Sequence, residues 1–350
     1  MRALRKRFQM TLPPTIYDIA KRAGVGIATV SRVLNGSDRV ADATRTAVQL
    51  AMKELDFRPN RAARRLAVGG VNRPRVAALM PFFSASFYYA VSAPLSAALT
   101  AADIDLVLYN IQDRDHKNRV LDRIVAERAC EGLVLLSMGV RPSRLAELER
   151  IGVPLVCVDY PQVGAPALTV DNVEAGKIAT QHLLDGGAQR PALITGPSRA
   201  LAFRQREEGF TAVAGAAAPQ VRAEAVTIEA GRAAAAVLLN SHPTIDALVC
   251  VNDMLAVGAL QEIRARGRRV PEDVQLIGFD DQPLMDVIGL STIRQPMDEF
   301  GSWAARSIAA LLGRGEGADK PSTVTSLQLP IELVARGTSR APVNGTKGRR

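Results

Sequence analysis

The sequence predicts an α/β protein in two parts, a small all-α headpiece and a large core of doubly wound parallel sheets arranged as two subdomains. Three observations predict it. The first sixty residues carry short helical periodicities punctuated by glycine, whereas from Arg75 onward short β-branched runs alternate with helical stretches. Charge is segregated as well: residues 1–75 hold 16 Lys and Arg against 5 Asp and Glu, residues 336–350 hold 5 basic residues and no acid, and residues 76–335 hold 23 basic and 30 acidic residues. Basicity concentrated at the N-terminal end points a polyanion at the headpiece rather than at the whole surface.

The first fourteen residues are basic and lack an apolar core, so they read as a disordered extension rather than a signal peptide, and the expected compartment is the cytoplasm. Thr15 with Asp18 three residues on forms a capping box, and Ile16, Ile19, Ala20 and Ala23 recur at helical spacing, which predicts a helix from Ile16 to Ala23. Gly24 can take the left-handed backbone that ends a helix, and Val25 can plug a small core. A second helix follows from Ile27 to Leu34, burying Val30, Val33 and Leu34. A third, about Asp42 to Asp56, puts Val48, Ala51, Met52 and Leu55 on one face and closes a three-helix core.

Two short helices joined this tightly make a helix-turn-helix, and in that geometry the start of the second helix enters the major groove. Ile27, Ala28 and Arg32 then face base edges. Arg32 offers a fork that matches the two acceptors of guanine, whereas Ile27 and Ala28 can give only apolar contact. Tyr17, Thr29, Ser31 and Asn35 can donate to phosphates and fix the register. Pro59 and Asn60 stop the third helix and start a short one, Arg61 to about Val68. Its apolar face is Ala63, Leu66 and Ala67, flanked by arginines. Such a face suits minor-groove entry with Leu66 as the wedge and with Asn60, Arg61 and Arg64 on phosphates.

In the core, VAALM, IDLVLYN, EGLVLLS, PLVCVD, PALITG, DALVCVND and VQLIGFDD read as strands with helices between them. No apolar run approaches the roughly 20 residues of a membrane span. Cys130, Cys157 and Cys250 are far apart in apolar surroundings and read as buried free thiols. His116, His182 and His242 lack a metal-type spacing, and no phosphate-binding glycine loop or nucleophile elbow is present, so neither a metal, a cofactor nor an enzyme activity is expected.

The stretches AGVGIATVSRVLNG, FRPNRAARRL, VCVDYP, TVDNVEAGKIATQHLL, FRQREEGF, VCVNDMLAVGAL and LIGFDDQPLMDVIGLSTIRQP occur in this order over nearly the whole chain. On them the chain resembles the LacI/GalR family of bacterial repressors, from about Ile16 to Gly337. The resemblance implies a periplasmic-binding-protein-like core with crossings near Leu168 to Asp171, Ser291 to Gln295 and Ser322 to Thr325. The expected division is a headpiece at 15–58, hinge helix and linker at 59–74, a core at 75–337 and a disordered tail at 338–350. Within the core, the N-subdomain takes about 75–168 and 296–322, and the C-subdomain about 169–292 and 325–337.

A ligand of such a core binds between the halves, at the carboxyl ends of the strands. Asp159, Asn252 and Asp280 stand at those ends, Arg204 opens a helix after the GPSRAL loop, and Phe87 and Tyr88 supply a wall. These six are the expected effector contacts, and their chemistry suits a polyhydroxylated, sugar-like ligand. Asp253 and Asp281 read instead as caps or salt-bridge partners. The chain departs from the family at Gly26 and Ala41, where serines commonly cap helices, and at Val226, where an aromatic commonly stacks on the sugar. Ser84, Ala85 and Ser86 also replace a commoner polar and proline segment.

The expected function is a homodimeric transcriptional repressor on a near-palindromic operator in double-stranded DNA, controlled by a small sugar-like effector. A non-sugar metabolite acting as co-repressor is the alternative. A solute-binding protein would explain the core equally but leaves the headpiece without a purpose.

Overall fold

The computed structural model describes residues 14–34, 40–55, 57, 73–81, 86–314 and 326–342. The chain divides into two compact units, residues 1–72 with 122–129, and the remainder. In the first, α1 (Ile16–Ala23), α2 (Ile27–Leu34) and α3 (Asp42–Glu54) follow the expected bounds to within two residues. The capping box is formed: the Thr15 amide and hydroxyl each donate to Asp18 Oδ2 at 2.7 Å. Gly24 closes α1 at φ +67°, and its N–H donates to the Ala20 carbonyl, a backbone that a side chain would strain. Ile19, Ala20, Val30, Val33, Val40, Val48 and Ala51 are buried together, with Val25, Leu34, Met52 and Leu55 packed against them. Ala41 stands at the cap position of α3 without a side-chain cap bond, because its methyl has nothing to accept an N–H.

The second unit contains two six-stranded sheets. The first runs β11-β5-β4-β3-β1-β2 and is parallel throughout, with β1 (Arg75–Pro81), β2 (Asp105–Ile111), β3 (Gly132–Leu136), β4 (Leu155–Val158), β5 (Ala167–Val170) and β11 (Ser326–Leu329). The second runs β12-β10-β9-β8-β6-β7, with β6 (Pro191–Thr195), β7 (Gln220–Arg222), β8 (Ala247–Cys250), β9 (Gln275–Asp280), β10 (Ser291–Arg294) and β12 (Glu332–Val334). Only β12 is antiparallel, at an edge. All seven strands expected from the sequence are present.

The helices are α4 (Ser86–Ala101), α5 (Arg114–Glu127), α6 (Pro142–Arg150), α7 (Asn172–Asp185), α8 (Leu201–Ala214), α9 (Ile228–Ser241), α10 (Asp253–Ala265), α11 (Met285–Ile288) and α12 (Met297–Leu311). Phe87, Val91, Leu95 and Leu99 of α4 and Phe300, Ala304 and Ile308 of α12 pack on Val76, Ala78, Val134 and Val156 of the first sheet. The larger second cluster surrounds Phe210, Leu248, Leu276, Ile277 and Phe279.

The chain crosses between the sheets after β5, after β10 and after β11. The first two crossings fall where expected. The third lies at Pro330 and Ile331, between β11 in one sheet and β12 in the other, rather than at Ser322 to Thr325. Residues 169–170 and 326–329 therefore belong to the first sheet, not to the C-subdomain. The expected disordered tail begins too early as well. Thr338 and Ser339 are buried: Thr338 Oγ1 donates to the Leu276 carbonyl at 2.8 Å and Ser339 Oγ lies 2.7 Å from both His182 Nε2 and Ser291 Oγ. Polar bonds rather than apolar contact hold this segment, which is why its composition reads as unstructured.

Candidate functional site

Two surfaces carry the chemistry, one in each unit. On the headpiece, α2 buries Val30 and Val33 and leaves Ile27, Ala28 and Arg32 exposed, Ile27 at 42%. Ala28 and Arg32 are one turn apart and therefore share a face. Thr29 and Ser31 are half-buried, and Tyr17 of α1 is 68% exposed. The helix begins without a side-chain acceptor at Gly26, whose added Cβ would meet nothing within 4 Å. Asn35, Asn60, Arg61, Ala63, Arg64, Leu66 and Ala67 lie outside the described residues.

In the core, the residues converge at the carboxyl ends of strands flanking the two points where strand order reverses, between β1 and β3 and between β6 and β8. A cavity of about 40 Å³ is lined there by Phe87, Tyr88, Ser137, Asp159, Arg206 and Asp280, among others. Asp159 follows β4 with φ +55° and accepts from Ser137 Oγ at 2.6 Å. Asp280 ends β9 with φ +112° and accepts three bonds, from Asn252 Nδ2 at 2.6 Å, Gln282 Nε2 at 2.9 Å and Gln295 Nε2 at 2.7 Å. Side chains held at positive φ sit in a sparsely populated backbone region that dense bonding has to maintain.

The guanidinium of the site is Arg206, not Arg204. Arg204 is exposed and turns back to the Ser198 carbonyl, because it lies on the opposite face of α8 from the buried stripe of Ala202, Arg206, Gly209 and Phe210. Arg206 is fully enclosed. Its Nε donates to Asn172 Oδ1 at 2.9 Å, its Nη1 donates to the Val251 carbonyl at 2.6 Å, and its Cζ stands 3.3 Å from the centre of the Phe279 ring. The Asp280 carboxylate is 3.8 Å away. Gly176 makes this placement feasible, since an added Cβ there would lie 2.3 Å from the Arg206 carbonyl. A bare glycine lets α7 and α8 touch, which brings Asn172 within reach of Arg206.

Burial dominates the electrostatics. It raises the Asp159 carboxyl, against the pull of Arg206 and the Ser137 bond. It also raises Asp280, opposed by Arg206, and raises Asp253 further, with the neighbouring Asp280 charge adding to the effect. Arg206 is lowered by burial and partly restored by Asp280 and Asp159. Tyr88 is raised for the same reason, and its ring meets Phe87 edge-on at 5.1 Å.

Asp253 and Asp281 have structural partners. Asp253 accepts from Thr292 Oγ1 at 2.7 Å and the Gln282 amide at 2.8 Å, and Asp281 pairs with Arg294 and Arg336, each at 2.8 Å. Of the six expected contacts, Phe87, Tyr88, Asp159, Asn252 and Asp280 line the cavity, and Arg204 does not.

A family profile described as "Periplasmic binding proteins and sugar binding domain of LacI family" matches residues 73–324, and one described as "Bacterial regulatory proteins, lacI family" matches residues 15–60. The chain belongs to the LacI family. It is 31% identical to the ribose operon repressor of Halalkalibacterium halodurans, over 94% of this chain and 98% of that one. It is 34% identical to the transcriptional regulator CelR of Thermobifida fusca, over 84% and 90% of the two chains. Among solved structures, the CelR–cellobiose complex superposes with a TM-score of 0.65 at 30% identity, covering 93% of this chain and all of that one. The operator-bound Lac repressor dimer shares the fold, with a TM-score of 0.66 at 24% identity over 94% of this chain and all of that one.

This LacI-family protein is thus a DNA-binding transcriptional regulator with a helix-turn-helix headpiece and a two-subdomain core. Among its described residues no group of three or more His, Cys, Asp or Glu could hold a metal, and no helix is long and apolar enough to cross a membrane. All three cysteines are buried and free, and burial pushes Cys130 and Cys157 up to about 12.

The lining residues of the LacI-family cleft that escaped the sequence reading include Ser137, Phe203, Arg206 and Gln295. Ser137 and Gln295 follow strand ends, the signal that found Asp159. Arg206 had a signal of its own, an arginine on an otherwise apolar helical stripe.

Proposed function

We propose that this LacI-family regulator is a homodimeric repressor whose affinity for a near-palindromic operator is set by a sugar or sugar derivative bound between the two core subdomains. The observation that carries this reading is the cluster of polar groups at the strand ends of both sheets: half-buried Ser137 and buried Asp159 from one, buried Asn252, Asp280 and Gln295 from the other. Groups of this kind are retained in an apolar interior for a ligand that completes their bonding. The cellobiose in the CelR complex and the ribose operon repressor among the relatives support a sugar class. We read the cleft as binding rather than catalytic. Asp280 already accepts from three donors, and His182, which pairs with Ser339, stands apart from the cavity.

On the DNA side, Arg32 reads a base with Ile27 and Ala28 beside it, Tyr17, Thr29, Ser31 and Asn35 hold phosphates, and the segment from Asn60 to Ala67 supplies Leu66 to the minor groove. The test is selection of full-length protein on random duplexes, followed by anisotropy titrations at fixed salt with and without a panel of sugars. A selected near-palindrome whose affinity changes at least fivefold with one sugar supports the proposal; selection without a consensus, or a consensus indifferent to every sugar, overturns it. Arg32→Ala should cost about 1–3 kcal/mol on the selected site and relax one base-pair position. Equal losses on selected and random duplexes would remove Arg32 from base reading.

A further inference from the structure

We propose that the cleft selects an uncharged, hydroxyl-donating effector and rejects sugar acids and sugar phosphates, through an acceptor pair formed by Asp159 Oδ1 and Gln295 Oε1. The proposal rests on the reading of the cleft as the effector site and adds the chemical class that it admits.

Asp159 and Gln295 are 7% and 3% exposed, both line the cavity, and Oδ1 of the first and Oε1 of the second are buried without a partner among the described residues. Buried acceptors in this condition are rare in folded proteins and mark a missing donor. Several neighbouring polar atoms are already engaged. Asn252 spends its Nδ2 on Asp280 and its Oδ1 on the Met254 amide. Gln295 Nε2 donates to Asp280. Gln282 donates from Nε2 to Asp280 and accepts at Oε1 from Ser86. Arg206 spends its Nε on Asn172 and its Nη1 on Val251. The two buried atoms left without a partner are both acceptors, so their unmet demand is for a donated proton.

A hydroxyl meets that demand at each atom, whereas a carboxylate or phosphate brings acceptors to acceptors. Charge acts in the same direction: two carboxylates, Asp159 and Asp280, face a single guanidinium that already balances Asp280 at 3.8 Å. An added anion would meet like charge in a poorly solvated site, where repulsion is little screened.

The experiment uses full-length protein and calorimetric titration. The panel comprises neutral pentoses, hexoses, polyols and disaccharides, each beside its uronic or aldonic acid and its phosphate ester; D-glucose, D-glucuronate and D-glucose 6-phosphate form one such set. The expected result is that at least one neutral member binds, at least tenfold tighter than both of its anionic counterparts. Asp159→Asn, which keeps an acceptor but removes the charge, should narrow that ratio at least threefold. An acid or phosphate that binds tighter than its neutral parent overturns the proposal and leaves the effector-site reading standing. Failure of every compound to bind overturns both. Because the ratio is measured on the unaltered protein, the result does not depend on the variant folding.

Discussion

Replacing Gly176 by alanine tests whether one missing side chain positions the arginine of the cavity. The added Cβ would lie 2.3 Å from the Arg206 carbonyl oxygen and 3.1 Å from its Cα. Both are backbone atoms, so no rotamer change relieves the clash. Ordinary contact begins near 3.4 Å, so α7 and α8 must separate by about 1 Å, which a close-packed interior resists. Gly209 offers no slack on the other helix, since its own added Cβ would sit 2.1 Å from the Val173 carbonyl. A shift of that size carries the 2.9 Å bond from Arg206 Nε to Asn172 past the hydrogen-bond limit. Overpacking costs about 1–3 kcal/mol, and weakening a buried bond to a charged group adds about 1.5–3 kcal/mol. At about 2–4 °C per kcal/mol for a core of this size, Tm should fall by roughly 5–24 °C. Effector affinity, read by calorimetry, should drop at least tenfold, and affinity for random duplex DNA should stay unchanged. A variant with Tm within 2 °C of the parent and effector affinity within twofold would refute the reasoning.

Ala41→Ser should stabilise the headpiece by about 0.5–1.5 kcal/mol by giving α3 the acceptor it lacks, whereas Gly26→Ser should add only a few tenths; chemical denaturation followed by the headpiece signal checks both, and equal effects would contradict the cap assignment. The Asp159 carboxyl is raised by burial, so the folded protein keeps its proton after the unfolded chain has lost it. Its contribution is complete below about pH 4 and is lost as pH rises through the folded value. Measured against Asp159→Asn, the parent should therefore lose relative Tm between pH 4 and pH 7; a flat difference would be evidence against a buried, raised carboxyl. Ending the chain after Gly337 should strip partners from Leu276, Ser291 and His182 and lower core stability by about 2–5 kcal/mol, a few buried polar groups at about 1–3 kcal/mol each; a truncated protein that melts with the parent would show the segment to be dispensable.

The parts of the structure legible in the sequence are those set by periodicity and by single-residue backbone chemistry. The headpiece helices followed from apolar spacing and from Gly24, and all seven expected core strands from β-branched runs between turns. What escaped depended on which partner a residue meets. β11 and β12 are short, largely uncovered edge strands on either side of Pro330, with too few buried positions to show alternation. Arg204 and Arg206 stand two apart on one helix, so either could be chosen from a motif. The helical stripe decides between them: Ala202, Arg206 and Gly209 share a face, and a charged residue on a buried face must be paired. Thr338 and Ser339 escaped because their burial rests on hydrogen bonds, which composition does not record.

A ligand in this cleft would act on the whole core. Two of the three crossings between sheets carry residues of the site: Asn172, just after the first, orients Arg206, and Gln295, within the second, donates to Asp280. Across the cleft, Ser86 at the start of α4 bonds Gln282, which in turn bonds Asp280. Rotating one subdomain against the other changes the distances from Ser86 and Asp159 on one side to Gln282, Arg206 and Gln295 on the other. A ligand bonded to Asp159 on one side and Gln295 on the other therefore favours one subdomain angle. By reciprocity, anything that fixes that angle, such as two headpieces seated on one operator, shifts ligand affinity by the same factor. Coupling of about 1–3 kcal/mol, or roughly 5- to 150-fold, needs only one or two of these bonds to differ between the two angles.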